Sequence, residues 1–260
     1  MRLNRFYTER TNLTLNSSVK LQDSDIRHIR NVLRLKKGDE VVLFNGEKEY
    51  LAELKIVGRE FITAKIKKIL KVEDFSEEAG VEITLFQSLI KVANIDLIVE
   101  KTTEIGVDAI VPIESDFSQV KLDYVQKKPE RWSKISIVAA KQSGRVKIPE
   151  IFQPTTFIDS LELAEKFDTV FFFTFPKESI EESLEASDLK EYTAKAGENP
   201  KKVAVQPSRV AFYIGPEGGF SPAEHKLAKE AGFKFVKFGN NILRSETASI
   251  ALLSVLKYIY

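Results

Sequence analysis

Two stretches late in the chain bring together residue types that can do chemistry: "YIGPEGGFSPAE", residues 213–224, and "FGNNILRSETA", residues 238–248. The first is a glycine-rich turn after a short apolar run, an arrangement that commonly cradles phosphate through convergent backbone N–H groups and a helix dipole. It matches neither the dinucleotide fingerprint nor the Walker pattern. It also holds Glu217, whose carboxylate would repel a phosphate placed there. A cofactor with positive charge and no phosphate fits better. S-adenosylmethionine, a sulfonium carrying adenine and ribose, is such a ligand, and Gly215, Gly218 and Gly219 would let main chain close around its adenine and ribose. Taken alone, the loop reads equally well as an ordinary tight turn. In the adjoining "SPAE", Ser221 caps a helix, Pro222 takes its first position and Glu224 completes a capping box, so both polar residues have a structural explanation.

The second stretch places Arg244, Ser245, Glu246 and Thr247 at the start of the C-terminal helix. Glu246 in a first turn suits the helix dipole. A cation at a helix N-terminus does not, so Arg244 is assigned to meeting a carboxylate or a phosphate.

Elements must hold these loops together. In open α/β sheets, ligands sit beyond the carboxyl ends of the strands. From residue 81 onward, strand-like runs alternate with helical ones: "VEITLFQSL", "NIDLIVEKTTEIG", "DAIVPIES", "PERWSKISIVAAKQSG", "SLELAEKF", "DTVFFFTF", "SIEESLEA", "RVAFYIG", "SPAEHKLAKEAG", "FKFVKFG" and "ILRSETASIALLSVLKYIY". That order predicts a mostly parallel sheet covered on both faces. Three late strands end in candidate ligand loops: Phe175-Pro176-Lys177, Gly215 to Phe220, and Gly239-Asn240-Asn241. On the last helix, Ala248, Ala251, Leu252, Val255 and Ile259 form the packing face. Residues 187–209 are expected to form a mobile insertion.

The first third differs. "DEVVLFNG", "KEYLAELKIV" and "REFITAKIKKIL" alternate apolar and polar residues between tight turns, the pattern of a small barrel or sandwich. Before them, "SDIRHIRNVLRLKKGD" predicts a helix capped by Ser24, with Ile26, Ile29 and Leu33 on its buried face and Gly38 past its end. The acidic, aperiodic segment 73–80 reads as a linker between a domain at 1–72 and one at 81–260.

Residues 1–72 carry 16 Lys+Arg against 9 Asp+Glu, whereas the whole chain has a net charge of only +1. A basic first domain beside an acidic second one is the pattern expected when one of them meets a polyanion; uneven surface charge without a partner is the alternative. The chain has no cysteine and two histidines, which excludes a disulfide framework and a thiolate or multi-histidine metal site. The start lacks the apolar centre of a signal peptide and no apolar run reaches membrane-spanning length, so a soluble, cytoplasmic protein is expected. Trp132 is expected in a core or a dimer interface, and His28 and His225 on helix surfaces.

The pair "IGPEGGFSPAE" and "FGNNILRSETA" resembles the signature of the small-subunit (16S) ribosomal RNA uridine-N3 methyltransferase family, of the SPOUT class. The likeness covers nearly the whole chain: "HIRNVLRLKKGDEVVLFNG" resembles that family's PUA-like RNA-binding barrel, and "EKTTEIGVDAIVPIES" and "ERWSKISIVAAKQSGRVKIPEI" resemble its middle segments. The resemblance implies an N-terminal PUA-like β-barrel followed by an α/β domain with a C-terminal trefoil knot. It implies S-adenosylmethionine as cofactor, a homodimer, no metal, and a 16S RNA substrate. Cofactor-binding residues would be Phe175, Ile214, Gly215, Pro216, Gly218, Gly219, Phe238, Gly239, Asn240, Ile242, Leu243 and Thr247. The chain departs from the family pattern at Phe117 and Asn241, where arginine is usual.

In that reading Arg244 stabilises negative charge on the uracil or orients its phosphate, and Glu246 or Glu217 accepts the N3 proton or holds the base. Arg2, Arg5, Arg10, Arg30, Arg34, Lys36 and Lys37 would grip RNA, with Lys141 and Arg145 assisting from the second domain. Two rivals stand beside it: a SPOUT enzyme acting elsewhere on RNA, such as a ribose 2′-hydroxyl, and a non-catalytic RNA-binding or ribosome-assembly factor.

Overall fold

The computed structural model describes residues 3–72, 80–175, 184–185, 189 and 208–260. Arg2, residues 73–79 of the expected linker, Pro176, Lys177 and nearly all of the expected insertion at 187–209 lie outside the described residues. The chain divides into two compact units, Met1–Ser76 with Ala140–Ile148, and Glu77–Ala139 with Pro149–Tyr260.

The first unit is a five-stranded sheet in the order β1-β3-β4-β5-β2. Its strands are β1 (Arg5–Tyr7), β2 (Ser18–Lys20), β3 (Glu40–Phe44), β4 (Lys48–Val57) and β5 (Ile62–Val72). The three long strands follow the alternating runs, and β3, β4 and β5 pair antiparallel in sequence. Asn45 tightens the β3–β4 turn, its Oδ1 accepting the N–H groups of Glu47 at 3.0 Å and Lys48 at 2.8 Å. Inward side chains, among them Val41, Leu43, Tyr50, Ala52, Leu54, Ala64 and Ile66, form one core. β1 and β2 are three residues each, too short to carry a readable period.

The helix expected from Ser24 is shorter and changes in kind. α1 spans Asp23–Arg27 with Gln22, not Ser24, at its N-cap, and continues as a π-helical turn over His28–Val32. The extended backbone that an N-cap needs falls at Gln22, with ψ 148°, so Ser24 sits inside the helix. Arg34 adopts a left-handed φ of 54°, which ends the winding before Gly38. Ile26 and Ile29 are buried as expected.

Among the described residues, the second unit is an eight-stranded sheet in the order β11-β13-β10-β12-β6-β7-β8, with β9 also paired to β7. The strands are β6 (Glu82–Ser88), β7 (Ala109–Glu114), β8 (Glu150–Ile151), β9 (Thr155–Thr156), β10 (Thr169–Phe173), β11 (Leu184–Glu185), β12 (Arg209–Ile214) and β13 (Lys234–Lys237). Its pairings are parallel. The helices are α2 (Val92–Ile105), α3 (Leu122–Val125), α4 (Pro129–Ser143), α5 (Phe157–Ala164), α6 (Pro222–Glu230) and α7 (Ser245–Ile259). Leu184 and Glu185 correct the helix expected at "SIEESLEA": they pair with Val236 and Lys237 at the sheet edge, and that backbone pairing overrides local helical preference.

Period-two alternation explains why "TVFFF" and "RVAFYI" read as continuous apolar runs. Phe171, Phe173, Val210, Phe212 and Ile214 enter one core with α2 and α7, while Val170, Phe172, Ala211 and Tyr213 enter another with α5 and α6. Both faces of the central strands are therefore buried, and polar alternation is lost. Gly106, at φ 120°, ends α2 in the left-handed conformation that glycine tolerates. Trp132 is fully buried in the first core.

Candidate active site

At the carboxyl ends of adjacent parallel strands, three segments converge on one cleft. They are the residues after β10, the glycine turn after β12, and the entry to α7. The cleft is narrow and open to solvent, and is lined by Phe173, Thr174, Phe175, Ile214, Gly215, Pro216, Gly219, Phe220, Leu243, Ser245 and Ala248.

The glycines are there because side chains would not fit. The N–H of Gly219 donates to the Pro216 carbonyl at 2.9 Å, closing a tight turn with Gly219 at φ 73°. A Cβ on Gly219 would lie 2.5 Å from Cε2 of Phe175, and one on Gly215 would lie 3.2 Å from the Phe220 ring. Gly218 is exposed and abuts Phe117, whose Cβ would be 3.3 Å from a Cβ at that position. Phe220 is anchored from below by Phe172, ring centroids 4.3 Å apart.

The turn is held at its far end by the expected capping box, with an addition that spacing did not reveal. Ser221 accepts from the Glu224 N–H at 3.2 Å, and the Ser221 N–H donates to Glu224 Oε2 at 2.8 Å. The other carboxylate oxygen accepts the N–H of Asp116 at 2.9 Å, and the Ser221 hydroxyl donates to Asp116 Oδ2. Burial pushes the Glu224 carboxyl above its ordinary range, opposed by the N–H groups of Ser221 and Asp116. His225, expected on a helix surface, is half-buried instead: its ring packs on Phe172 and Phe235, and Nδ1 lies 2.9 Å from the Ser221 carbonyl. The second core recruits it because that face of α6 meets aromatic residues.

Of the residues expected to bind a cofactor, the structure gathers Phe175, Ile214, Gly215, Pro216, Gly219 and Leu243 at the cleft. Gly218, Gly239, Asn240, Ile242 and Thr247 are exposed and Phe238 half-buried, and none of these six lines it. Glu217 points to solvent, as does Arg244, whose side chain is 83% exposed. Glu246 is mostly buried, its Oε1 lies 4.0 Å from Arg244 Nη1, and its Oε2 is buried without a hydrogen-bond partner. Phe220, at the end of an expected ligand loop, and Ser245, at the expected start of the last helix, also line the cleft, whereas sequence reasoning missed Phe173 and Thr174 and gave Ala248 to helix packing alone. Their position at strand ends and at the N-terminus of the last helix was the available signal.

The basic residues sort by what they touch. Arg10, Arg34, Lys36 and Lys37 are exposed, while Arg30 and Arg145 are half-buried. Arg5 is only 7% exposed; its guanidinium lies 4.7 Å over the Phe44 ring, ion-pairs with Glu49 and donates to the Arg145 carbonyl. Lys141 lies 2.9 Å from the Asp25 carboxylate and 4.4 Å over the Phe6 ring. Lys141 and Arg145 belong to the segment that packs with the first unit, not the second.

A parallel sheet whose loops converge at its carboxyl ends defines an α/β class that binds ligands beyond the strand ends. The RNA methyltransferase domain family matches residues 77–257, and the RNA methyltransferase PUA domain family matches residues 21–67. The ribosomal RNA small subunit methyltransferase E of Aquifex aeolicus is 31% identical over 96% of this chain and 97% of its own length. A Legionella pneumophila methyltransferase solved with the cofactor SAM superposes with a TM-score of 0.82, at 31% identity, over 99% of this chain and 98% of that one. The Neisseria gonorrhoeae ribosomal RNA small subunit methyltransferase E, solved with S-adenosyl methionine, gives a TM-score of 0.80 at 28% identity over 100% and 98%. The chain belongs to the ribosomal RNA small subunit methyltransferase E family.

Proposed function

We propose that this protein transfers a methyl group from S-adenosylmethionine to N3 of one uridine in small-subunit ribosomal RNA. The observation that carries the reading is the cleft at Gly215, Gly219 and Phe175, in a chain whose relatives are solved with that cofactor. The residues present fit the cofactor. Among the described residues the lining is mainly aromatic and aliphatic, with Thr174 and Ser245 as polar members, and contains no Lys or Arg, which suits an adenine. The glycine turn offers main chain at close approach, and Glu246 offers an unpaired buried acceptor one residue beyond Ser245.

When bound, the cofactor supplies an electrophilic methyl group on a sulfonium. The protein's own work is to hold and orient the two reactants, a large part of the barrier in such transfers. Phe175, Phe220 and Leu243 exclude water from the cleft. The N3–H bond of uracil must give up its proton as the N3–carbon bond forms and the sulfur–carbon bond breaks. Glu246 is assigned to take or hold that proton, and Arg244, exposed at the N-cap of α7, to stabilise the charge that develops on the uracil oxygens. Glu217, facing solvent, is assigned to the RNA side of the turn.

In the same reading, β1–β5 close as a PUA-like barrel whose Arg10, Arg30, Arg34, Lys36 and Lys37 track the RNA backbone. The passage from β13, beyond β10, back to α7 beside α2 is the trefoil knot of the SPOUT class, and the active form is a cytoplasmic homodimer.

The test uses small ribosomal subunits from cells lacking the gene, incubated with the pure protein and isotopically labelled cofactor. Mass spectrometry should find one N3-methyluridine gained. Methylation at a ribose oxygen, or none with cofactor bound, would refute the assignment. Arg244→Ala should leave cofactor affinity unchanged and slow transfer by about 10²-fold or more.

A further inference from the structure

Behind the cleft lies a buried chain of hydrogen bonds that the proposed mechanism does not use. Gln87, in β6, is in register with Ile214, the residue before the glycine turn. It is fully buried and does not line the cleft. Its Nε2 donates to the Ser88 carbonyl at 3.0 Å and to the Ser245 hydroxyl at 2.9 Å. Its Oε1 accepts from the Ser249 hydroxyl at 2.6 Å. The Ser245 hydroxyl in turn donates to the Gly215 carbonyl at 2.8 Å.

The direction of this chain is determined. A carbonyl only accepts, so the Ser88 oxygen requires the NH2 side of the Gln87 amide to face it, and the amide oxygen then faces Ser249. A hydroxyl has one proton. Because Nε2 occupies an acceptor position on Ser245, that proton is directed to Gly215. The three side chains are at most 4% exposed, so no water competes for these bonds and each is worth more than it would be at a surface.

We infer that Gln87 is a positioning residue for the methyl-donor cleft: through Ser245 it fastens the glycine turn to the start of α7. Two walls of the cleft, Gly215 and Ser245, are thereby held at one spacing by a residue that touches no reactant. The inference takes its ligand from the function proposed above, while the polarity argument stands on the protein alone.

Gln87→Glu tests it in the full chain, because the substitution keeps the shape and makes the donor titratable. Protonated, the introduced carboxyl has one O–H where the amide has two N–H groups, so it donates to Ser245 only by giving up the Ser88 carbonyl. Ionised, it has no proton to give, takes the Ser245 proton for itself and releases Gly215. Burial raises its pKa into an accessible range. Two readouts are compared with wild type at each pH from 6 to 9: amide hydrogen exchange at residues 215–220 in the ligand-free protein, and cofactor dissociation constant by calorimetry. Both ratios should rise by roughly tenfold across that window, the further loss of the bond that holds Gly215. Ser249→Ala, which spares the Ser245–Gly215 bond and introduces no titratable group, leaves the buried Gln87 Oε1 unpaired and should shift both ratios equally at every pH.

Ratios that do not change with pH, or an equal rise with pH from Ser249→Ala, would overturn the inference. Should Gln87→Glu not fold, Ser245→Ala must accelerate exchange at 215–220, and unchanged exchange there also overturns it. A wild-type protein that fails to bind the cofactor sinks the functional reading instead, and exchange in the ligand-free protein still decides the role of Gln87.

Discussion

Replacing Gly219 with alanine separates two costs that usually arrive together. The first is conformational: at φ 73° an alanine pays about 1–2 kcal/mol for the left-handed region. The second is steric. The new Cβ would lie 2.5 Å from Cε2 and 3.1 Å from Cδ2 of Phe175, well inside the 3.5–4.0 Å of a good carbon contact. Phe175 is half-buried, so its ring yields toward solvent and the steric cost appears as a displaced wall of the cleft. Gly232 supplies the control, with φ 76° and nothing within 4 Å of its built Cβ. Both variants should therefore lose about 1–2 kcal/mol, a melting shift of roughly 2–8 °C for a chain of this size. Only Gly219→Ala should weaken cofactor binding, by about tenfold or more if displacement costs roughly half the burial of one Phe side chain. Scanning calorimetry and titration calorimetry on the two variants check this. Equal cofactor affinity in both would refute the placement of Phe175, packed against Gly219, as a wall of the cofactor cleft.

Among the basic residues, Lys36→Ala should lower the salt dependence of RNA binding by about one unit of slope and leave melting unchanged. Lys141→Ala should do the opposite: it strands the Asp25 carboxylate, 12% exposed, and should cost about 2 kcal/mol after allowing for partial exposure, with the salt slope unaltered. Hydrogen bonds from Lys55 and then Lys67 hold the Glu53 carboxyl down at about 2. Its stabilisation is complete above the unfolded carboxyl value of about 4.3 and is lost as pH falls toward 2. Denaturant melts of Glu53→Gln should thus vary less between pH 5 and pH 2 than those of wild type. Ser221→Ala should cost about 1 kcal/mol as a lost cap and free the Asp116 side chain, seen as a melting decrease of a few degrees.

The long strands and helices were legible because each carries several turns or pleats of one period, as in "KEYLAELKIV" over β4 or "ERWSKISIVAAK" in α4. What escaped were elements that exist only through pairing. β1, β2 and β11 have two or three residues each, and their hydrogen bonds come from β3, β5 and β13. The π-helical turn at His28–Val32 escaped for a related reason, since apolar spacing at Ile26 and Ile29 suits either winding.

The site divides along the same line. Glycines announce themselves because a turn requires them, and Gly215 and Gly219 do line the cleft. Charges announce themselves too, but a charge in a sequence carries no direction. Glu217 and Arg244 face solvent, whereas Glu246 is mostly buried with one oxygen unpaired, so three residues that read alike take different parts. Ser245 stood between two conspicuous charges, legible as a residue at the start of the last helix but with no role attached. Its hydroxyl, caught between Gln87 and Gly215, turns out to join a strand 158 positions away to the glycine turn. Short polar side chains acquire such roles only when the fold removes water from them, because a hydroxyl at a surface exchanges partners freely and fixes nothing. A motif thus shows which residues a cleft needs at its rim, and the buried partners that hold the rim in place must be found by asking where each enclosed N–H and O–H goes.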